Sequence, residues 1–147
     1  MLDITIKHYK ELSKDELYNI LQLRSEVFVV EQDCVYQDID YKDQKAIHVL
    51  GLKKNKLVAY ARIFKPGDYF DLASIGRVVV AKNERQNKYG YDIMKVSIKA
   101  VKDELKEITI KISAQCYLKE FYTNLGFNKV GEEYLEDGIP HIAMIYK

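Results

Sequence analysis

Residues 72–114 constrain this chain more than any other segment. "LASIGRVVVA" reads as a long apolar strand. A polar, basic turn, "KNERQNKYG", follows it. Met94, Ile98, Val101 and Leu105 then fall on one helical stripe, backed by Ile93 and Ala100. "EITIKISA", at 107–114, closes the unit as a second buried strand. A strand–helix–strand run of this kind calls for a parallel strand pair joined by a right-handed crossover. The turn has a chemical meaning as well. An apolar strand that empties into a basic, glycine-bearing helix start presents backbone N–H groups and the positive end of a helix, a setting suited to an anion such as a phosphate.

The flanking segments supply antiparallel strands. Residues 3–8 alternate apolar and polar, as a strand does. "SKDE", at 13–16, is a capping box with Ser13 as N-cap and Glu16 three residues on. Leu17, Ile20, Leu21, Arg24 and Phe28 continue at helical spacing and predict a helix to about Val30. Strands near 46–53 and 57–65 flank Asn55 as a hairpin, and "PGD" at 66–68 breaks the chain. Gly76, inside a strand, signals a bulge or a close backbone approach. Leu118, Phe121, Tyr122 and Leu125 mark a short helix that Gly126 stops, with Phe127 just beyond it. Two last strands, about 128–135 and 139–146, turn at Asp137-Gly138. The expectation is an α/β (α+β) fold in one domain, residues 1–147. It has a mixed, mostly antiparallel central sheet with one parallel pair, and helices on both faces.

Composition limits the function classes. The 147 residues are 48% hydrophobic and 31% charged, as in a globular domain. The net charge of +1 argues against broad electrostatic capture of nucleic acid or an anionic membrane. No apolar run approaches the roughly 18 residues of a membrane span. The N-terminal "MLDITIKHYK" lacks a signal-peptide core, so a cytoplasmic location is expected. Cys34 and Cys116 form no C-x-x-C and have no close histidine, so no metal site is expected. Two reduced thiols are preferred to one disulfide. Oligomeric state is left open, a homodimer included.

The order of elements, the turn Arg85-Gln86-Asn87-Lys88-Tyr89-Gly90 and the "FYTNLGF" helix resemble the GNAT family of acetyl-CoA-dependent N-acetyltransferases over nearly the whole chain. The family's pyrophosphate loop is written R/Q-x-x-G-x-G/A, and Lys88 stands where its first glycine would be. "LRSEVFVVEQDCVYQDID", "AYARI", "IGRVVV" and "EDGIPHIAM" are similar to the ElaA-like subgroup of that family. The resemblance implies a GNAT fold, acetyl-CoA as co-substrate, no metal, and direct transfer of an acetyl group to an amine of a small molecule, peptide or protein. Backbone N–H groups from Gln86 through Asn87, Lys88, Tyr89 and Gly90 to Tyr91 would hold the pyrophosphate. Arg85 and Lys88 would add charge, and Gly90 would allow close approach. The backbone of Val78, Val79 and Val80 would pair with the pantetheine arm, and one N–H there would hold the thioester oxygen. Gln115 would orient substrate or cofactor. Tyr122 would protonate the departing thiolate beside the cofactor.

An acceptor amine arrives as an ammonium and must lose a proton before it attacks. Glu31, closing the first helix, and His141, on the last strand, lead as candidate bases, with His48 behind them. Each also has a plainer reading, as a helix-end charge or a hydrogen-bonded strand residue. Asp33, Asp38, Asp40 and Asp43 either draw in a cationic amine or form a solvated acidic loop. Two rivals stand beside the transferase. One is a non-catalytic acyl-CoA-binding sensor or interaction module. The other is a nucleic-acid-binding α/β domain, which the net charge disfavours.

Overall fold

The computed structural model describes residues 2–147. Its strands are β1 (Asp3–His8), β2 (Ile47–Lys53), β3 (Lys56–Phe64), β4 (Ala73–Val80), β5 (Ile110–Gln115), β6 (Phe127–Glu136) and β7 (Ile139–Tyr146). They form one sheet in the order β1-β2-β3-β4-β5-β7-β6. Every neighbouring pair is antiparallel except β4 and β5, the pair that the central crossover requires. That parallel pair is short. It runs only through Ala73–Ile110 and Ser74–Lys111, whereas β3 stays with β4 to Val80 and β7 stays with β5 to Gln115. The sheet therefore forks at its centre, beyond Ser74.

Helices α1 (Lys14–Arg24), α2 (Tyr89–Leu105) and α3 (Lys119–Asn124) cover the two faces. Ser13 and Glu16 form the capping box that starts α1. Ile20 and Leu23 of α1 pack with Val27, Leu50, Tyr60 and Val79 on one face. Ile93, Met94, Ala100 and Val101 of α2 pack on the other, against Val49, Ala61, Ile63, Ile75 and Ile112. Each such fully buried aliphatic side chain contributes about 1.5–3 kcal/mol. The β2–β3 turn has left-handed Lys54 and Asn55, and the β6–β7 turn has left-handed Asp137 and Gly138, as two-residue hairpin loops require.

The structure departs from the sequence expectations in three places. The first helix does reach residue 31, but Ser25–Glu31 is a wider π-helical segment, closed by bonds such as Gln32 N–H to Val27 O (3.1 Å). Such widened turns occur often beside functional sites. Second, β5 starts at Ile110 and not at 107, because left-handed Lys106 ends α2 and turns the chain first. Third, β4 does bulge beside Gly76, but the left-handed residue is Arg77 (φ 48°), and the register against β3 slips there. An arginine in that conformation costs on the order of 1–3 kcal/mol and persists only if something holds it.

What holds it is the segment expected to be a solvated acidic loop. Arg24 donates from Nε to Asp38 (3.0 Å) and from Nη1 to Asp43 (2.7 Å). Arg62 donates to Asp40 (2.6 and 2.9 Å) and to Asp43 (2.9 Å). Arg77 pairs with Asp38 at 2.8 Å and reaches Asp40 at 3.5 Å. Three arginines and three aspartates thus form one largely buried, mutually neutral network. Neither sequence reading of these acids, amine attraction or solvated loop, fits Asp38, Asp40 or Asp43; only Asp33 is exposed. Burial pushes the Asp40 carboxyl up, but hydrogen bonds and charge from Arg62 outweigh it and hold the group at about 2, against an ordinary 3.8. A depressed carboxylate stabilises the fold fully above its unfolded pKa, and that contribution is lost as pH falls through the folded value. Urea midpoints are therefore expected to hold steady down to about pH 4 and to fall steeply toward pH 2. A flat profile across that window would contradict the network.

Candidate active site

Beyond Ser74 the edge of β4 that faces β5 has no strand partner, and a cavity of about 450 Å³ opens in the fork. Residues 75–80 of β4 line one wall, and Ile112, Ser113 and Gln115 of β5 line the other. The space carries backbone hydrogen-bonding groups along a strand edge. It therefore fits an extended, amide-bearing chain better than a plain apolar ligand. Val78, Val79 and Val80 lie along this edge. The Val79 side chain points into the α1 core, while Val78 and Val80 pack on the α2 side, and on the flank away from β3 this stretch of backbone has no strand partner. A Cβ placed on Gly76 would meet no protein atom within 4 Å, so the space above it is open cavity.

The basic turn forms one end of the cavity. Lys88 sits just before α2 in the left-handed conformation (φ 61°, ψ 29°), where the family pattern has glycine. Its N–H donates to Arg85 O (3.4 Å), and Tyr91 N–H donates to Lys88 O (3.1 Å). Those two amides, expected to face an anion, are already engaged. The amides of Tyr89 and Gly90, in the first turn of α2, are the ones that helix geometry leaves over. Gly90 has its own packing reason: an added Cβ would lie 3.3 Å from the Phe121 ring. Tyr91 rests on that same ring, 4.7 Å between centroids. Arg85, Lys88, Gly90 and Tyr91 line the cavity. Gln86 and Asn87 are exposed outside it, and the Tyr89 side chain is buried in the core.

Arg85 and Glu31, assigned separate tasks from sequence, meet each other. Arg85 donates from Nη1 and Nη2 to the two Glu31 oxygens at 2.5 and 2.8 Å, and from Nε to Val80 O at 3.2 Å. Hydrogen bonds from Arg85, and then its charge, hold the Glu31 carboxyl below its ordinary range. Glu31 does not line the cavity. The pair instead ties the end of the π-helical segment to the basic turn.

Tyr122 is 7% exposed and meets Phe121 and Phe127 edge-on, and it lines the cavity. Its hydroxyl makes no hydrogen bond among the described residues. Burial, then the nearby Tyr117, pushes its pKa above the ordinary 10, so the phenol stays protonated. Gln115 exchanges amide hydrogen bonds with Gln32 at 3.3–3.4 Å and joins the loop after the first helix to β5. His141 is 6% exposed and lines the cavity. Its Nδ1 donates to Ile139 O at 2.7 Å, which leaves Nε2 as the acceptor, 3.6 Å from Glu136. His48 is wholly buried away from the cavity. Its Nε2 donates to Asp43 O (2.9 Å), Nδ1 accepts from the Tyr60 hydroxyl (2.6 Å), and burial lowers its pKa. Both cysteines are free thiols, and Cys34 lines the cavity.

Sequence reasoning missed Phe121, Ser113 and Glu136 as cavity residues. For Glu136 a signal did exist. Once Asp137-Gly138 is taken as the hairpin turn, Glu136 pairs with Ile139 and Tyr134 with His141, so Glu136 and His141 are diagonal neighbours on one face.

Comparison with known proteins supports the fold. Residues 9–147 match the model of the acetyltransferase (GNAT) domain family. Protein ElaA of Escherichia coli K12 is 45% identical over 139 residues, 93% of this chain and 91% of that protein. The crystal structure of Escherichia coli ElaA superposes with a TM-score of 0.93 at 42% identity, covering 100% of both chains. An acyl-CoA N-acyltransferase from Pseudomonas aeruginosa superposes with a TM-score of 0.94 at 39% identity, again over 100% of both.

Proposed function

The chain belongs to the GNAT acetyltransferase family and is an acyltransferase, and from that premise we propose that it transfers an acetyl group from acetyl-CoA directly to a primary amine. The observation that carries the reading is the fork itself. A strand edge without a partner ends at a helix N-terminus with Arg85 and Lys88 beside it, and a protonated phenol stands against the same cavity. In this reading the amides of Tyr89 and Gly90 take the diphosphate, and the edge of Val78, Val79 and Val80 takes the pantetheine amides. The acceptor ammonium gives a proton to His141 Nε2. The freed amine attacks the thioester carbonyl, whose oxygen draws on a β4 amide; the carbon–sulfur bond breaks as Tyr122 protonates the thiolate, and the surplus proton on the new amide nitrogen returns to the Tyr122 phenolate. Glu31 serves less well as the base, because two arginine N–H groups already satisfy it.

The test is release of free CoA thiol from acetyl-CoA, followed with and without an amine panel. Amine-dependent release supports the reading. Tight binding of acetyl-CoA with no release on any amine would make the chain a binder and not a transferase. The fork assignment has its own check. Gly76→Val adds a side chain into open cavity, so acetyl-CoA affinity in calorimetry is expected to fall by about tenfold or more, with the melting temperature little changed. Unchanged affinity would place the ligand elsewhere.

A further inference from the structure

We propose that the acceptor is an aliphatic primary amine carrying a second positive charge and no carboxylate, and that Glu136 selects it. This rests on the acetyl-transfer reading above. The acidic and basic residues Arg77, Arg85, Lys88, Glu136, Asp137 and His141 line the cavity. Arg77 apart, they divide by sign along it. Arg85 and Lys88 belong to the basic turn, where the diphosphate is assigned. The other four belong to the bulge of β4 and the β6–β7 hairpin.

At that second end no free cation is left among the described residues. Arg77 is bound to Asp38 and Asp40 within a network of three arginines and three aspartates, so its charge is matched. His141 is a cation only when it holds an extra proton, and its Nε2 lies beyond hydrogen-bond reach of Glu136 at 3.6 Å. Glu136 accepts one bond from the Ser113 hydroxyl at 3.1 Å. The Asp137 side chain has no hydrogen bond among the described residues. Among the described residues, two carboxylates therefore stand at this end without an arginine or lysine partner, beside a buried imidazole with a free acceptor nitrogen. A diamine offers one nitrogen to His141 and a second charge to the carboxylates. An amino acid would bring its own carboxylate to a place with no cation to receive it, and would be left unpaired.

Three amines of similar length separate the charge from the shape: cadaverine, n-pentylamine and δ-aminovalerate. For the native protein, kcat/KM for cadaverine is expected to exceed that for δ-aminovalerate by about tenfold or more. In Glu136→Gln, which keeps an oxygen for Ser113, the ratio should fall to within about threefold through a higher cadaverine KM, with the acetyl-CoA KM unchanged. Glu136→Lys should reverse the preference. Asp137→Asn, compatible with the left-handed turn, should lower the ratio by a smaller factor. Equal use of the zwitterion by the native protein, or an unchanged ratio in Glu136→Gln, would overturn the proposal. So would failure to acetylate any of the three while calorimetry shows acetyl-CoA bound, and that result would leave the co-substrate assignment standing. Failure to bind acetyl-CoA at all would instead strike the function proposed above.

Discussion

Arg24→Met is expected to lower the unfolding free energy by about 3–5 kcal/mol, the cost of removing one partner from a buried ion pair. Arg24 is 0% exposed and binds Asp38 through Nε and Asp43 through Nη1, with Nη2 on the Asp38 carbonyl at 3.0 Å. Methionine fills most of the volume, so packing alone predicts a small effect. The large effect comes from two buried carboxyl groups left with fewer hydrogen-bond donors. They cannot easily escape, because Asp38 and Asp43 are themselves 7% and 5% exposed. Urea denaturation at neutral pH reads the loss directly. A change under about 1 kcal/mol would mean that water compensates the pair, as at an exposed ion pair.

Tyr122→Phe is expected to lower kcat by about 100-fold or more, the usual contribution of a positioned general acid. Acetyl-CoA affinity and stability should both change little. The hydroxyl has no hydrogen bond among the described residues, so its removal leaves no stranded partner, and the ring keeps its contacts with Phe121 and Phe127. That separation of kcat from binding distinguishes an acid from a packing residue. Steady-state kinetics paired with calorimetry makes the measurement. Turnover equal to that of the native chain would retire the acid role for this phenol.

The elements were legible in the sequence because each has a local cause. Ser13 and Glu16 cap α1, Asp137-Gly138 sets a hairpin, Gly126 stops α3, and the valine run followed by a helical stripe demands a parallel pair. What stayed hidden depends on contacts between distant residues. Arg24 sits at a helical spacing that reads as one edge of an apolar stripe, and nothing local says that Asp38 and Asp43 will bury it. The same acids look solvated when read alone, because their partners come from α1, β3 and β4. Of the site, the wall of β4, the basic turn, Tyr122, Gln115 and His141 were visible as residue types in sequence. The pairing of Glu31 with Arg85 was not, since it joins positions 54 residues apart.

The short parallel pair makes β4 mechanically unequal along its length. At Ala73 and Ser74 it is tied on both flanks, and toward Val80 it is tied only to β3. A strand anchored in this way can breathe at its loose end while its root stays fixed, because local opening there breaks few bonds. If the proposed thioester occupies the fork, it would enter without melting the sheet, and each bond it made to β4 would stiffen the end that was slack.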